Sequence, residues 1–286
     1  LFLLMCRVLR SPSWIWAALA GGVAGLAYLT KASILPGFLL FLITLSAKAV
    51  KCLSAMVRGK EIDFPGQQDN RNIMPNSEVF VAIFLSVAVF LMIVYPYISA
   101  NKRVFGRYFY NFNSTFCIWC DSWEEAKTGV GAHGALYHWP NMPEKELPSF
   151  TKYFREHSFL QIVNRIFVGG RYVLVNVLAS YGYFKYVVVY LALLGTGFLW
   201  FPHKVLRLFR ENSIFLFFVV TYFCGYLFLY FWYAPIAAGN RLILSQFLPL
   251  MFVISLAKRE LLGCSKITVG TQCVSRNMLD DLLILQ

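Results

Sequence analysis

Residues 79–98 read VFVAIFLSVAVFLMIVYPYI, and this stretch decides the fold. Twenty residues with no charged side chain match the roughly 20 that a helix needs to cross the hydrocarbon core of a bilayer. Pro96 near its end predicts a kink or an exit from the helix. The whole chain has the composition such a segment implies. Its 286 residues are 58% hydrophobic and 14% charged, against about 45–50% and about 25% in a soluble domain, with a mean hydropathy of +0.59. A soluble globular enzyme is thereby excluded, and a lipid-facing surface accounts for the 17% aromatic content.

Working outward, Trp14–Thr30 and Ile34–Val50 flank a few residues around Lys31, which predicts a tight helical hairpin with Pro36 in the first turn of its second helix. Gly21-x-x-x-Gly25 permits close helix approach. Further apolar blocks run from Phe184 to Phe201, Ile214 to Tyr233 and Leu242 to Ala257. The expected fold class is therefore all-α: a polytopic transmembrane helical bundle with an extracytoplasmic region that contains an amphipathic surface helix. Its expected parts are three spans in 1–100 with a cytoplasmic loop at 51–78, an extracytoplasmic region at 101–183, three spans in 184–257, and a cytoplasmic tail at 258–286. Tyr172–Ala179 is apolar enough to belong to an extra span.

The net charge of +12 fits basic residues at headgroup level and in cytoplasmic loops rather than nucleic-acid binding. Lys204, Arg207 and Arg210, then Lys258 and Arg259, then Lys48, Lys51, Arg58 and Lys60 fall on one side of the six-span arrangement. That side is read as the cytoplasm, which leaves Lys31, residues 101–183 and the Asn240-Arg241 turn outside. The expected location is a multi-pass integral protein, in a bacterial inner membrane rather than the endoplasmic reticulum.

The extracytoplasmic region holds most of the candidate chemistry. Arg103 and Arg107, among aromatic residues, are either membrane-boundary anchors or a cluster that holds the phosphate of a lipid-linked substrate. Cys117, Cys120, His133 and His138 have the C-x2-C-x12-H-x4-H spacing of a zinc finger, which leaves room for a divalent metal. Glycines 129, 131 and 134 interrupt the helix such a finger requires, so a disulfide or paired free thiols is the competing reading of the two cysteines. Asp121, Glu124 and Glu125 lie among Trp119 and Trp123, with His133 nearby; they are candidate catalytic groups or parts of an exposed loop whose tryptophans rest on the membrane. Pro140, Pro143 and Pro148 exclude regular structure before Ser149. Phe159, Ile162, Val163, Ile166 and Phe167 then recur at helical spacing, with Lys152, Arg155, Glu156, Gln161, Asn164 and Arg165 on the other face. This predicts an amphipathic helix over about 149–168, lying on the outer membrane surface.

Two fragments resemble a known family. Ala27-Tyr28-Leu29-Thr30-Lys31-Ala32, after Gly21, Gly22 and Gly25 and before Pro36, is similar to the G-L-A-x-L-T-K hairpin of the C-fold membrane glycosyltransferases, which include protein mannosyltransferases and aminoarabinose transferases. Asn240-Arg241-Leu242-Ile243-Leu244 with Pro249 resembles the R-Y-x-x-x-x-x-P start of a later span there, with Leu242 in place of the tyrosine. The resemblance implies an enzyme that transfers a sugar from a polyprenyl-phosphate donor to a lipid, glycan or protein acceptor in the cell envelope, with Lys31 and Arg241 near the lipid phosphate. In that family the catalytic carboxylate lies in the first outer loop. The corresponding Thr30–Ser33 has no Asp or Glu, so the resemblance implies that the main carboxylate precedes Leu1 and that the chain is a fragment. A non-catalytic membrane subunit and a transporter-like protein are the alternatives from other classes.

Overall fold

The computed structural model of the chain describes residues 1–57, 75–177, 212–236 and 241–262, together with isolated positions between 188 and 210. Every regular element among them is helical. In chain order the helices are α1 (Phe2–Arg10), α2 (Trp14–Thr30), α3 (Leu35–Val57), α4 (Pro75–Phe105), the short α5 (Phe112–Thr115) and α6 (Trp123–Ala126), α7 (Phe150–Glu156), α8 (Phe159–Arg171), α9 (Ser213–Tyr233) and α10 (Arg241–Leu262). Three of these segments are long and apolar enough to cross a membrane: Ala32–Ser54, Ser77–Phe105 and Ser213–Tyr233. Trp14–Thr30 and Gln246–Leu256 are apolar but shorter. The block 184–201, most of the loop between the second and third expected spans, and the tail beyond 262 lie outside the described residues, apart from isolated helical positions in the first.

The predicted hairpin forms, with a single 3-10 turn at Ala32–Ile34 between its arms. Its first arm packs against α4 through the glycines. A Cβ on Gly21 would lie 2.3 Å from the Ser86 carbonyl oxygen, and one on Gly25 would lie 2.9 Å from Ile93. The Ser86 hydroxyl, fully buried, donates to the Ala17 carbonyl at 3.1 Å. Only a residue without a side chain lets the two backbones come this close.

These contacts advance together along both chains, so α2 and α4 run parallel, and α3 returns against α4 and α9. Phe38 of α3 stacks on Phe90 of α4 at 4.8 Å, and Phe41 meets Phe218 of α9 at 6.5 Å. Tyr226 of α9 donates its hydroxyl to the Ser33 carbonyl at 2.9 Å and accepts the Gly37 amide at 3.3 Å. Helix α9 is thus parallel to α2 and α4, and α10 turns back beside it, with Gln246 Nε2 donating to the Tyr230 hydroxyl at 3.2 Å. One end of the bundle consequently carries the Lys31 turn, the end of α4, the end of α9 and the start of α10.

Three sequence expectations are corrected, and one element was not foreseen: Phe2–Arg10 form α1, which buries Phe2, Met5, Cys6, Val8 and Leu9. Residues 51–57 continue α3 instead of opening a loop, and Lys48 is a buried core residue whose Nζ donates to the Leu9 carbonyl at 2.7 Å. Helix α4 does not stop at Pro96 but runs on to Phe105. The helix expected over 149–168 is two helices, because Ser158 starts a fresh one: its hydroxyl accepts the Gln161 amide while Gln161 Oε1 accepts the Ser158 amide.

Candidate functional site

Past α4 the chain folds over that shared end, and its first anchor is Tyr110. This ring stacks on Phe105 at 4.2 Å, its hydroxyl donates to the Ala135 carbonyl, and its own carbonyl accepts Asn101 Nδ2 at 3.0 Å. A tight turn at Cys117–Trp119 then leads into Cys120 and Asp121. Ser122 caps α6 by accepting the Glu125 amide at 3.1 Å, and the Glu125 carboxylate accepts the Asp121 amide at 2.6 Å. Glu125 therefore spends its carboxylate on holding the backbone at Asp121.

Asp121 is the centre of a four-residue cluster. Arg165 Nη1 donates to its Oδ1 at 3.1 Å, the Tyr153 hydroxyl to the same oxygen at 3.1 Å, and His157 Nε2 to Oδ2 at 2.8 Å. The Arg165 side chain is only 5% exposed, whereas that of Asp121 is 54% exposed. The rest of the guanidinium fork is also used: Nη2 donates to the Cys120 carbonyl at 2.8 Å and Nε to the Trp232 carbonyl at 3.2 Å. It lies over the Trp232 ring at 4.5 Å and the Tyr153 ring at 5.0 Å. Trp232 in turn donates its indole N–H to the Ile118 carbonyl at 2.7 Å. The cluster thus joins the Cys117–Asp121 turn, α7, α8 and the end of α9.

His157 faces acceptors on both nitrogens, Asp121 at Nε2 and the Tyr153 carbonyl at Nδ1 at 3.0 Å. Only the doubly protonated ring satisfies both. Burial works against that charge, but the Asp121 hydrogen bond and the Tyr153 carbonyl outweigh it and hold the pKa above its ordinary value. The folded state therefore binds this proton more tightly than the unfolded chain does. The stabilisation is complete below about pH 6.5 and is lost as pH rises through the elevated pKa. The wild-type thermal midpoint in detergent is expected to fall across this window, and His157→Gln is expected to flatten the fall. An unchanged profile in the variant would remove His157 as its source.

The other sequence candidates are distributed differently. Glu124 and His133 are exposed and stand outside the Asp121 hydrogen-bond set. His138 turns its Nδ1 to the Trp139 carbonyl at 2.8 Å. Cys117 and Cys120 are free thiols, both buried, and burial pushes them up to about 11 and about 12, which keeps them neutral. The finger spacing does not become a ligand set: among the described residues no group of three or more His, Cys, Asp or Glu converges on a metal position. The glycine-rich segment that separates the pairs, which forms a π-helical turn at Lys127–Gly131, is the physical reason.

Lys31, Arg103 and Arg107 all reach the shared end and are exposed. Arg107 pairs loosely with Glu144 at 3.8 Å and lies over Trp139 at 5.0 Å. Arg241 opens α10, and its side chain lies outside the described residues. None of these cations pairs with Asp121 among the described contacts; Arg165 does, a residue the sequence pattern assigns to the solvated face. Arg165 had one local signal, its position four residues before Gly169-Gly170, since a small pair marks the side of a helix that approaches another backbone. No family model, curated protein or solved structure matches the chain.

Proposed function

We propose that the chain is a multi-pass membrane protein that transfers a sugar from a polyprenyl-phosphate donor to a lipid, glycan or protein acceptor on the extracytoplasmic side. One observation carries this reading: Lys31, Arg103, Arg107 and the first residue of α10 share the bundle end that also bears the Asp121 cluster. Cations at the ends of spans are suited to a lipid phosphate and to its charge as leaving group. Asp121 serves as a fixed acceptor with an open side, able to orient an acceptor hydroxyl. His157 and Arg165 are positioning residues.

The test is donor binding by the chain, and transfer by the protein with any sequence upstream of Leu1 included, in proteoliposomes, with a polyprenyl monophosphate and its radiolabelled sugar conjugate. Lys31→Ala is expected to weaken binding of the monophosphate about tenfold, equivalent to about 1.4 kcal/mol. Asp121→Asn is expected to lower transfer about 100-fold or more while leaving that binding intact. Binding that ignores Lys31 would sink the reading.

A second reading, a non-catalytic membrane subunit, is favoured by the three donors Asp121 already accepts. On that account Asp121 fastens helices together, and Asp121→Asn lowers stability with no transfer to lose.

A further inference from the structure

Tyr153, His157 and Arg165 reach Asp121 from one continuous stretch: the inward side of α7, the joint, and the inward side of α8. On α8 the opposite side is apolar and open: Phe159, Leu160, Val163 and Phe167 are 80%, 80%, 46% and 70% exposed. On α7, Phe150 and Phe154 are partly exposed beside Tyr153, packed on Trp119 and Trp232 at 5.5 and 6.2 Å. At the helical repeat the four α8 residues fall within an arc of about 100° centred opposite Arg165. A helix that buries its arginine and exposes its phenylalanines reverses the distribution required by water.

The open side is also continuous with a surface suited to lipid. Gly169 rests directly against the Phe231 backbone of α9. Phe217, Val220 and Phe228 on α9 are themselves about half exposed, on a helix long and apolar enough to cross a membrane. Helix α8 meets that span near its end at Tyr233, the level at which a spanning helix leaves the hydrocarbon. Arg155 and Arg171, both exposed, stand at the two ends of the stripe, where headgroup phosphates would lie.

We infer that α8 is the lipid-seated part of a cradle completed by α7: the outer stripe of α8 rests in the headgroup–acyl boundary of a phospholipid leaflet, and that contact keeps Tyr153, His157 and Arg165 on Asp121. Lipid replaces a protein partner on the outer side, so the inner side can be devoted to polar contacts. The inference rests on the membrane part of the proposal above and is independent of sugar transfer.

The test uses the full chain in phosphatidylcholine nanodiscs, with Cys224→Ser to remove the exposed thiol among the described residues and the residual label signal subtracted. Nitroxides are placed through Leu160→Cys, Phe167→Cys, Asn164→Cys and, on the outward side of α4, Phe84→Cys. Dissolved oxygen is expected to relax the labels at 84, 160 and 167 several-fold more than a water-soluble nickel chelate does, with the order reversed at 164. In a second arm, Phe159→Ser combined with Phe167→Ser is expected to speed amide exchange across 117–126 several-fold and to leave 17–25 unchanged.

Labels at 160 and 167 that meet the chelate as at 164 overturn the cradle, and so do labels shielded from both agents, since protein would then cover the stripe. Unchanged exchange across 117–126 in the folded serine variant overturns the coupling to Asp121. If the serine variant also loses protection at 17–25, the nitroxide arm decides alone. A label at 84 that meets the chelate overturns the membrane reading itself, which separates its failure from that of the cradle.

Discussion

Arg165→Met is expected to lower stability by about 3 kcal/mol and to detach α8 from the Cys117–Asp121 turn. Asp121 contributes little to that figure, because its half-exposed carboxylate can turn to water once the arginine is gone. The loss comes from the carbonyls of Cys120 and Trp232, which the buried guanidinium serves at 2.8 and 3.2 Å. Hydrogen bonds from charged donors contribute about 1.5–3 kcal/mol each, and a buried acceptor left unpaired carries a penalty of its own. Arg165→Lys should recover less than half of the loss, since an ammonium is a single point and cannot reproduce a planar fork lying between two rings. Denaturant unfolding in mixed micelles checks both variants. Wild-type stability in Arg165→Met would mean that the guanidinium holds nothing together.

Gly169→Ala is expected to be comparably damaging, at about 3 kcal/mol, although it adds one methyl group. That methyl would lie 1.9 Å from the Phe231 carbonyl oxygen, a backbone atom that cannot move without moving α9. Overpacking commonly costs about 1–3 kcal/mol, and a backbone obstacle puts this site at the upper end. The neighbour supplies the control. A methyl on Gly170 would meet only the Phe231 ring, at 3.2 Å, and the ring can rotate away. Gly170→Ala should therefore stay within about 1 kcal/mol of wild type, helped by the better helix propensity of alanine. Amide exchange in α8 reports on both substitutions, and equal effects would show that the approach of α8 to α9 is not the constraint.

The helices were legible wherever composition alone dictates them. Trp14–Thr30 and the span ending at Tyr233 need no partner to be recognised, because uninterrupted apolar residues serve every face. Helix α1 was not legible: nine residues are too few to display a period, and its burial depends on Phe218 and Tyr222, more than two hundred positions away. Asp121 could be singled out because carboxylates beside tryptophans are unusual. Its partners could not, since Arg165 looks the same in a sequence whether its fork meets water or two carbonyls. The zinc-finger spacing failed for a related reason, as distance along the chain says nothing about the glycine-directed turns between the two pairs. The existence of the long apolar helices was thus local information, whereas their ends and the direction each one faced were not.

At the joint, Arg165 and the Trp232 indole meet the turn mainly through main-chain oxygens: Arg165 donates to the Cys120 carbonyl and Trp232 to that of Ile118, and Asp121 is the one residue of the turn that Arg165 meets through a side chain. Recognition of the turn is therefore blind to the identity of positions 118 and 120, which can drift among residues of similar volume while the joint persists. The specificity of the assembly is written in the path of the backbone, which one arginine and one indole read.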